Sequence, residues 1–221
     1  MDTGTMHGSL PLEVTMGDIA ILLAAAFVAG ALNAVAGGGS FLTLPALVFT
    51  GVPPVVANAT GTVALLPGYM AGAWGFKDDM QAPPGLSMKT VIGLSLAGGA
   101  LGAALLLFTP DATFRKIVPW LLLAATAMFA FGPQLRAWAS RGNSAAGQVA
   151  PSAMKAAIGM LIVSIYGGYF NGGLGILLLA LLGLLGQTNL NAMNGTKNLV
   201  SAVLTAIAVG IYAAGGVVQW K

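Results

Sequence analysis

The chain contains no cysteine and only one histidine, His7, which lies near the N-terminus. The lack of cysteine excludes disulfides, thiolate nucleophiles and metal sites with cysteine ligands. Charged residues make up only 7% of the chain, and no basic cluster with interleaved aromatic residues occurs. We therefore expect no nucleic-acid partner, no metal and no other cofactor.

Carboxylates are missing from the interior of the long apolar runs. Asp18, Asp78, Asp79 and Asp111 lie at the ends of these runs or between them. Because a proton relay across a membrane uses buried ionisable groups, a relay built from carboxylates is not expected.

Apolar residues are abundant instead. They make up 57% of the chain, and the mean hydropathy of +0.88 is far above that of soluble domains. Six apolar runs are mostly long enough to cross a ~30 Å hydrocarbon layer as helices; they cover 19–36, 54–76, 90–109, 117–133, 156–170 and 192–213. The sequence predicts an all-α, multi-pass protein embedded in the lipid bilayer of a cell membrane, with the bacterial inner membrane as the expected location.

A glycine break occurs twice inside apolar sequence, at 36–40 (AGGGS) and 134 positions later at 170–174 (FNGGL). Each break is followed by an apolar stretch and then by a polar patch, at 58–62 and 194–198. Gly-Gly and Gly-Thr pairs recur at this common offset. Broken helices in a repeated unit are typical of membrane transporters.

The breaks predict half-helices. A single straight helix over 19–49 would be ~46 Å long, too long for one perpendicular crossing. We expect it to break at Gly37, Gly38 and Gly39, with Ser40 as N-cap of the next piece, and the second copy to break at Gly172 and Gly173. The alternative is that these glycines only allow close helix packing, as we expect for the pairs Gly68/Gly72 and Gly98/Gly102.

The repeat predicts a division into an N-terminal tail (1–17), a first transmembrane repeat (18–133), a connector loop (134–152) and a second repeat (153–221). The first repeat is a four-helix unit that contains a broken helix. By comparison the second repeat lacks its last two helices, so the chain is predicted to be either naturally short or an incomplete version of a longer parent.

Positive charge predicts part of the orientation. The loops at 77–89 and 134–155 carry five Lys or Arg residues, whereas the loop at 110–116 carries two. The first two loops are therefore predicted to be cytoplasmic. The side of the N-terminus stays open, because a tail without Lys or Arg favours the outside and a single broken crossing over 19–50 favours the inside.

Two segments resemble a known family. Residues 36–45 (AGGGSFLTLP) resemble the first signature of the sulfite exporter TauE/SafE family, and residues 166–180 (YGGYFNGGLGILLLA) with 191–199 resemble the second. The similarity covers residues 17–220. The resemblance implies a transporter of small anions such as sulfite, sulfoacetate or related sulfonates, built from a duplicated four-helix unit. This chain departs from the family by ending about two helices early.

Lys197 is the basic residue that lies inside an apolar run with polar neighbours on both sides. A lysine at membrane depth costs ~2.5–3.5 kcal/mol on insertion scales, which makes it a candidate for function. The alternatives are snorkelling to the interface, because Lys197 is only about five residues into its helix, and an internal partner.

The candidate anion site combines Lys197 with the two half-helix N-termini, whose free N–H groups and positive dipole ends attract anions. Neutral polar residues at membrane depth complete it, with interhelical hydrogen bonds as their alternative role. The predicted substrate-binding residues are Asn33, Gly37, Gly38, Gly39, Ser40, Thr60, Thr62, Asn171, Gly172, Gly173, Asn194, Thr196, Lys197 and Asn198.

The function predicted from these residues is transport, not catalysis. We expect export of a small oxyanion, because a negative-inside potential drives anions outward by ~2.3 kcal/mol per charge per 100 mV. One alternative is an intramembrane hydrolase that uses Lys197 and Ser201, spaced i,i+4, as a Ser-Lys dyad. Another is an assembly subunit of a larger complex. A homo-oligomer is also left open.

Overall fold

The computed structural model describes residues 15–35, 37–143 and 152–220. Within these ranges the chain forms eight helices and no strand, so the all-α prediction is confirmed. The helices are α1 (Met16–Val35), α2 (Ser40–Phe49), α3 (Pro54–Gly75), α4 (Met88–Leu107), α5 (Asp111–Asn143), α6 (Ala153–Tyr169), α7 (Leu174–Leu184) and α8 (Leu190–Ala214).

Three of the described helices, α1, α4 and α8, are long and apolar enough to cross a membrane. The short helices α2 and α7 follow the two glycine breaks, as predicted. The predicted N-cap is wrong, because Gly39 caps α2 and Ser40 is its first helical residue. The order of long helix, break, short helix and long helix therefore occurs twice, as α1–α2–α3 and α6–α7–α8. These short helices are too short to span a hydrocarbon layer alone, since each residue adds 1.5 Å.

Helix α4 packs closely on α6 and α8 through glycines. A Cβ added at Gly98 would lie 2.5 Å from the Cβ of Ser164, and one at Gly99 would lie 2.8 Å from the carbonyl oxygen of Leu204. One added at Gly102 would collide with the backbone of Ile165 and Gly168. The packing role expected for Gly98 and Gly102 is confirmed, and the backbones approach as small residues allow in membranes.

Helices α3 and α8 run antiparallel beside each other. At one end the Gln219 N–H donates to Thr60 Oγ1 at 3.0 Å. At the other end a Cβ added at Gly72 would lie 2.6 Å from the amide nitrogen of Asn198. Gly72 thus makes room for a predicted site residue, which sequence spacing alone does not reveal.

The structure differs from the predicted connector loop at 134–152. Helix α5 continues to Asn143, ten residues into that range. Polar residues begin where the chain leaves the apolar layer, but Gln, Leu, Arg and Ala are good helix formers, so the helix continues beyond it. Residues 144–151, most of the predicted tail and His7 lie outside the described residues, and the division into two repeats stays a prediction.

Two glycines of α4 offer a matched test of the packing. Gly102→Ala places a methyl group against the α6 backbone and should lower the melting temperature of the detergent-solubilised protein, because overpacking costs typically 1–3 kcal/mol. Gly93→Ala meets nothing within 4 Å and should be neutral or slightly stabilising. Equal effects of the two substitutions would contradict the packing of α4 on α6.

Candidate functional site

The first break turns the chain sharply after α1. Gly37 has a φ of 83°, and its N–H donates to the carbonyl oxygens of Leu32 and Asn33 at 3.2 and 3.1 Å. Gly39 then folds back on α1, where an added Cβ would lie 3.1 Å from that of Asn33. The break thus holds Asn33, Gly37 and Gly39 together at the start of α2.

The second break is organised by Asn171, which has a φ of 59°. Its Oδ1 accepts from the hydroxyl of Tyr69 at 3.1 Å, and its Nδ2 donates to Thr205 Oγ1 at 3.3 Å. Gly173, with a φ of 71°, is the N-cap of α7. One asparagine side chain therefore connects the start of α7 to α3 and α8.

The two breaks lie against each other. A Cβ added at Gly37 would collide with the backbone of Gly175 in the first turn of α7. Beside this contact, Ser40 Oγ donates to the carbonyl oxygen of Asn171 at 3.5 Å. Gly37 and Asn171 are 134 positions apart in the sequence, and both have a positive φ, in the left-handed region. The N-terminal regions of both short helices therefore lie together, as an anion site between them requires.

Lys197 is fully buried in α8, with 0% exposure. The side chain does not reach the surface, so it does not snorkel. Its Nζ also has no hydrogen-bond partner among the described residues. A buried ammonium without a partner is strongly unfavourable, so a ligand that neutralises it would bind with a large electrostatic gain.

Six buried polar side-chain atoms, Lys197 Nζ among them, lack a partner in the part of the chain that the structure describes. They are Asn33 Oδ1, Thr43 Oγ1, Gln187 Oε1, Asn194 Oδ1, Lys197 Nζ and Ser201 Oγ. Three of the six, on Asn194, Lys197 and Ser201, lie on one face of α8 because the spacing is i−3, i and i+4. Buried polar groups are normally hydrogen-bonded, so this concentration makes the face a candidate binding surface.

The same face leads to the second break. Ser201 is one turn from Lys197, and Thr205, which binds Asn171, is one turn further. The distance from Lys197 to Thr205 is ~12 Å along the helix axis. Ser201 lies between them, with its free hydroxyl 0% exposed. Lys197, Ser201 and Thr205 thus lie along one face of α8, and Thr205 connects this face to Asn171 at the break.

The Ser-Lys dyad that the hydrolase alternative needs is not formed. Lys197 Nζ and Ser201 Oγ are both without a hydrogen-bond partner, so they do not bond each other. A serine nucleophile needs its base within hydrogen-bond reach, which makes these residues better suited to binding than to catalysis.

Several predicted site residues make structural contacts instead. Thr62 Oγ1 donates to the Asn58 carbonyl at 2.7 Å, and Thr60 binds Gln219 at the opposite end of α3 from Gly72. Thr60 is therefore ~18 Å along the axis from the level of Asn198. Thr196 Oγ1 donates to the Gln81 carbonyl at 2.7 Å. The hydroxyl groups of these three threonines are thus used in contacts within the protein, and their role in substrate binding stays a prediction.

The sequence interpretation missed two residues of the site and gave a third another role. Tyr69 and Thr205 were not predicted, and Ser201 was considered only as a nucleophile. The spacing Lys197, Ser201, Thr205 on one helix face was a usable signal for two of them. No sequence pattern indicated that Tyr69 would reach Asn171.

Comparison with known proteins gives the family. The model of the sulfite exporter TauE/SafE family matches residues 22–221. A "probable membrane transporter protein" of Haemophilus influenzae is 30% identical over 217 residues, which cover 95% of this chain and 80% of the relative. No solved structure matches the chain.

Two further relatives match about half of the chain. The "probable membrane transporter protein ORF9" of a Sinorhizobium species is 32% identical over 118 residues, which are 53% of this chain and 44% of the relative. The "probable membrane transporter protein YfcA" of Escherichia coli K12 is 30% identical over 118 residues, 53% of this chain and 43% of the relative. These two matches span less than half of each relative.

Apolar helices with two facing breaks and a buried cation define the class, a multi-pass helical membrane protein with transporter architecture. The chain belongs to the sulfite exporter TauE/SafE family of membrane transporters. The resemblance noted in the sequence is confirmed, and membership implies a small-molecule substrate and embedding in a membrane.

The left-handed conformation of Asn171 provides a test of the second break. Both Asn171→Gly and Asn171→Ala remove the bonds to Tyr69 and Thr205, each worth ~0.5–1.5 kcal/mol. Only the alanine adds the cost of a left-handed Cβ, ~1–2 kcal/mol. The alanine variant should therefore unfold at lower temperature than the glycine variant in detergent; equal melting temperatures would show that this geometry is absent.

Proposed function

We propose that the chain transports small anions across the bacterial inner membrane and that Lys197 binds the anion. The single observation that supports this is the burial of Lys197, at 0% exposure, with no partner for its Nζ among the described residues. A membrane protein retains such a costly group when it binds a substrate or coupling ion.

The facing breaks supply further attraction for an anion. Several first-turn N–H groups already donate within the breaks, Phe41 to Gly38, Leu42 to Gly39 and Leu174 to Asn171. The attraction therefore comes mainly from the helix dipoles, which place about half a positive charge at each N-terminus. Gly37 and Gly175 bring these two ends together. An anion between this region and the Lys197 face would meet positive potential from both sides.

The substrate class follows from the family description, which names sulfite. Sulfite and organosulfonates present several acceptor oxygens around one sulfur. Lys197 and Ser201 offer donors without a carboxylate that would repel the anion, whereas the unpaired amide atoms of Asn33 and Asn194 are acceptor oxygens. Neutral donors also allow the anion to leave again, which transport requires.

The direction proposed is export. A negative-inside potential favours outward movement of an anion by ~2.3 kcal/mol for each charge and each 100 mV. The energy of the potential is sufficient for a uniporter, so no proton relay is needed.

Replacement of Lys197 by methionine tests the proposal. Methionine is close to lysine in length but has no charge, so transport of sulfite into or out of proteoliposomes should fall at least about tenfold, the factor that corresponds to ~1.4 kcal/mol. The melting temperature of the variant should rise, because a buried charge costing ~2.5–3.5 kcal/mol is removed.

Lys89→Met is the matched control. Lys89 is exposed in the first turn of α4, so its loss should leave both transport and melting temperature nearly unchanged. Wild-type transport rates in a stably folded Lys197→Met protein would show that Lys197 does not bind the substrate.

A further inference from the structure

The formal charge of the buried polar face of α8 restricts which anions the site can bind. Lys197 is the only charged side chain in the buried set of the described residues. The polar groups around it are neutral: Ser201, Thr205 and Asn194 on α8, and Asn171 at the break. The buried face therefore carries one formal positive charge.

A single buried charge sets the charge of the best ligand. A monoanion on Lys197 gives a complex of zero net charge, which is the least costly state away from water. A dianion would leave one negative charge without a formal counter-charge. Uncompensated buried charges are strongly destabilising, and helix ends offer only partial compensation.

The donors fit one small oxyanion. Lys197 Nζ and Ser201 Oγ are both buried and both lack a partner. Side chains at i and i+4 have their Cβ atoms ≈ 5–6 Å apart, so the two groups can reach different oxygens of the same anion. Ser201 supplies a hydrogen bond but no charge, so the formal charge of the face stays at +1.

We infer that the Lys197–Ser201 face selects singly charged oxyanions over doubly charged ones. This inference rests on the proposed function, because it assigns the charge of the substrate to the same site. It implies that sulfite is carried as hydrogen sulfite and that singly charged sulfonates are carried, while sulfate and the doubly charged sulfoacetate are excluded.

Methanesulfonate and methylphosphonate form a matched pair of probes. The two anions have nearly the same shape, but methanesulfonate stays a monoanion, whereas methylphosphonate loses its second proton near neutral pH. Their affinities for the purified full chain are measured by thermal stabilisation in detergent, from mildly acidic to mildly alkaline pH at constant ionic strength.

The readout is the ratio of the two affinities, because it removes effects that act on both probes alike, such as a change in the stability of the protein. Titratable groups on the helices packed against α8 are the exposed Lys89 and Lys155 and the tyrosines Tyr69, Tyr166 and Tyr169. These groups are the same in both measurements. Only the charge of methylphosphonate differs between them.

We expect the two probes to bind with similar affinity at acidic pH. Once methylphosphonate is a dianion, it should bind at least tenfold more weakly than methanesulfonate, a change of ~1.4 kcal/mol. Lys197→Met should weaken both probes and increase the disadvantage of the dianion, because the face then offers no formal counter-charge. Ser201→Ala should weaken both probes but keep the wild-type dependence of the ratio on pH, because the charge of Lys197 remains.

Two outcomes would overturn the inference in different ways. A ratio that stays constant with pH, or rises in favour of the dianion, would refute charge selection but leave anion transport intact. Absence of stabilisation by either probe, together with no transport of either into proteoliposomes, would refute the proposed function and this inference with it.

Discussion

The close approach of the two glycine breaks is the constraint on which the site depends. Gly37 lies on the backbone of Gly175, and a Cβ at Gly37 would collide with that backbone. Without this contact the short helices α2 and α7 would not start in the same region. It also fixes Asn171, whose backbone carbonyl accepts from Ser40 and whose amide holds α3 and α8. The position of the polar face of α8 relative to the breaks follows from these few bonds.

Lys197 shows the energetic conflict that such a site contains. The ammonium group is buried without a partner, although the surrounding helices are packed closely enough that glycines replace larger residues at the contacts. The fold tolerates the charge because the rest of α8 buries apolar residues against α4 and α7, among them Val200 and Leu204. The free-energy cost of the buried charge is confined to Lys197, where binding of an anion reduces it. Stability of the empty protein is thus lower than its packing allows, as is common at functional sites.

Much of the fold could be predicted from the sequence, because the information is local. The apolar runs, the glycine breaks and the short helices after them follow from composition and spacing. The site was only partly predictable, because its contacts join residues far apart in the chain. Tyr69 reaches Asn171 across 102 positions, and no local pattern indicates this. Thr60 shows the opposite error: it belongs to a polar patch in the sequence, but it lies at the far end of α3 and binds Gln219. Polar residues at membrane depth are therefore poorly separated into structural and binding groups before the helices are placed.

The most direct test of the account is the position of a bound anion in a crystal of the protein. Bromomethanesulfonate is a monoanion whose bromine scatters anomalously, so an anomalous difference map distinguishes it from the lighter atoms of the protein and from water. The account predicts a single bromine peak inside the helix bundle, beside Lys197 and Ser201 on the side that leads to Asn171. A peak near Thr60 and Gln219 or in the loop after α3, or no peak at saturating concentration, would contradict it.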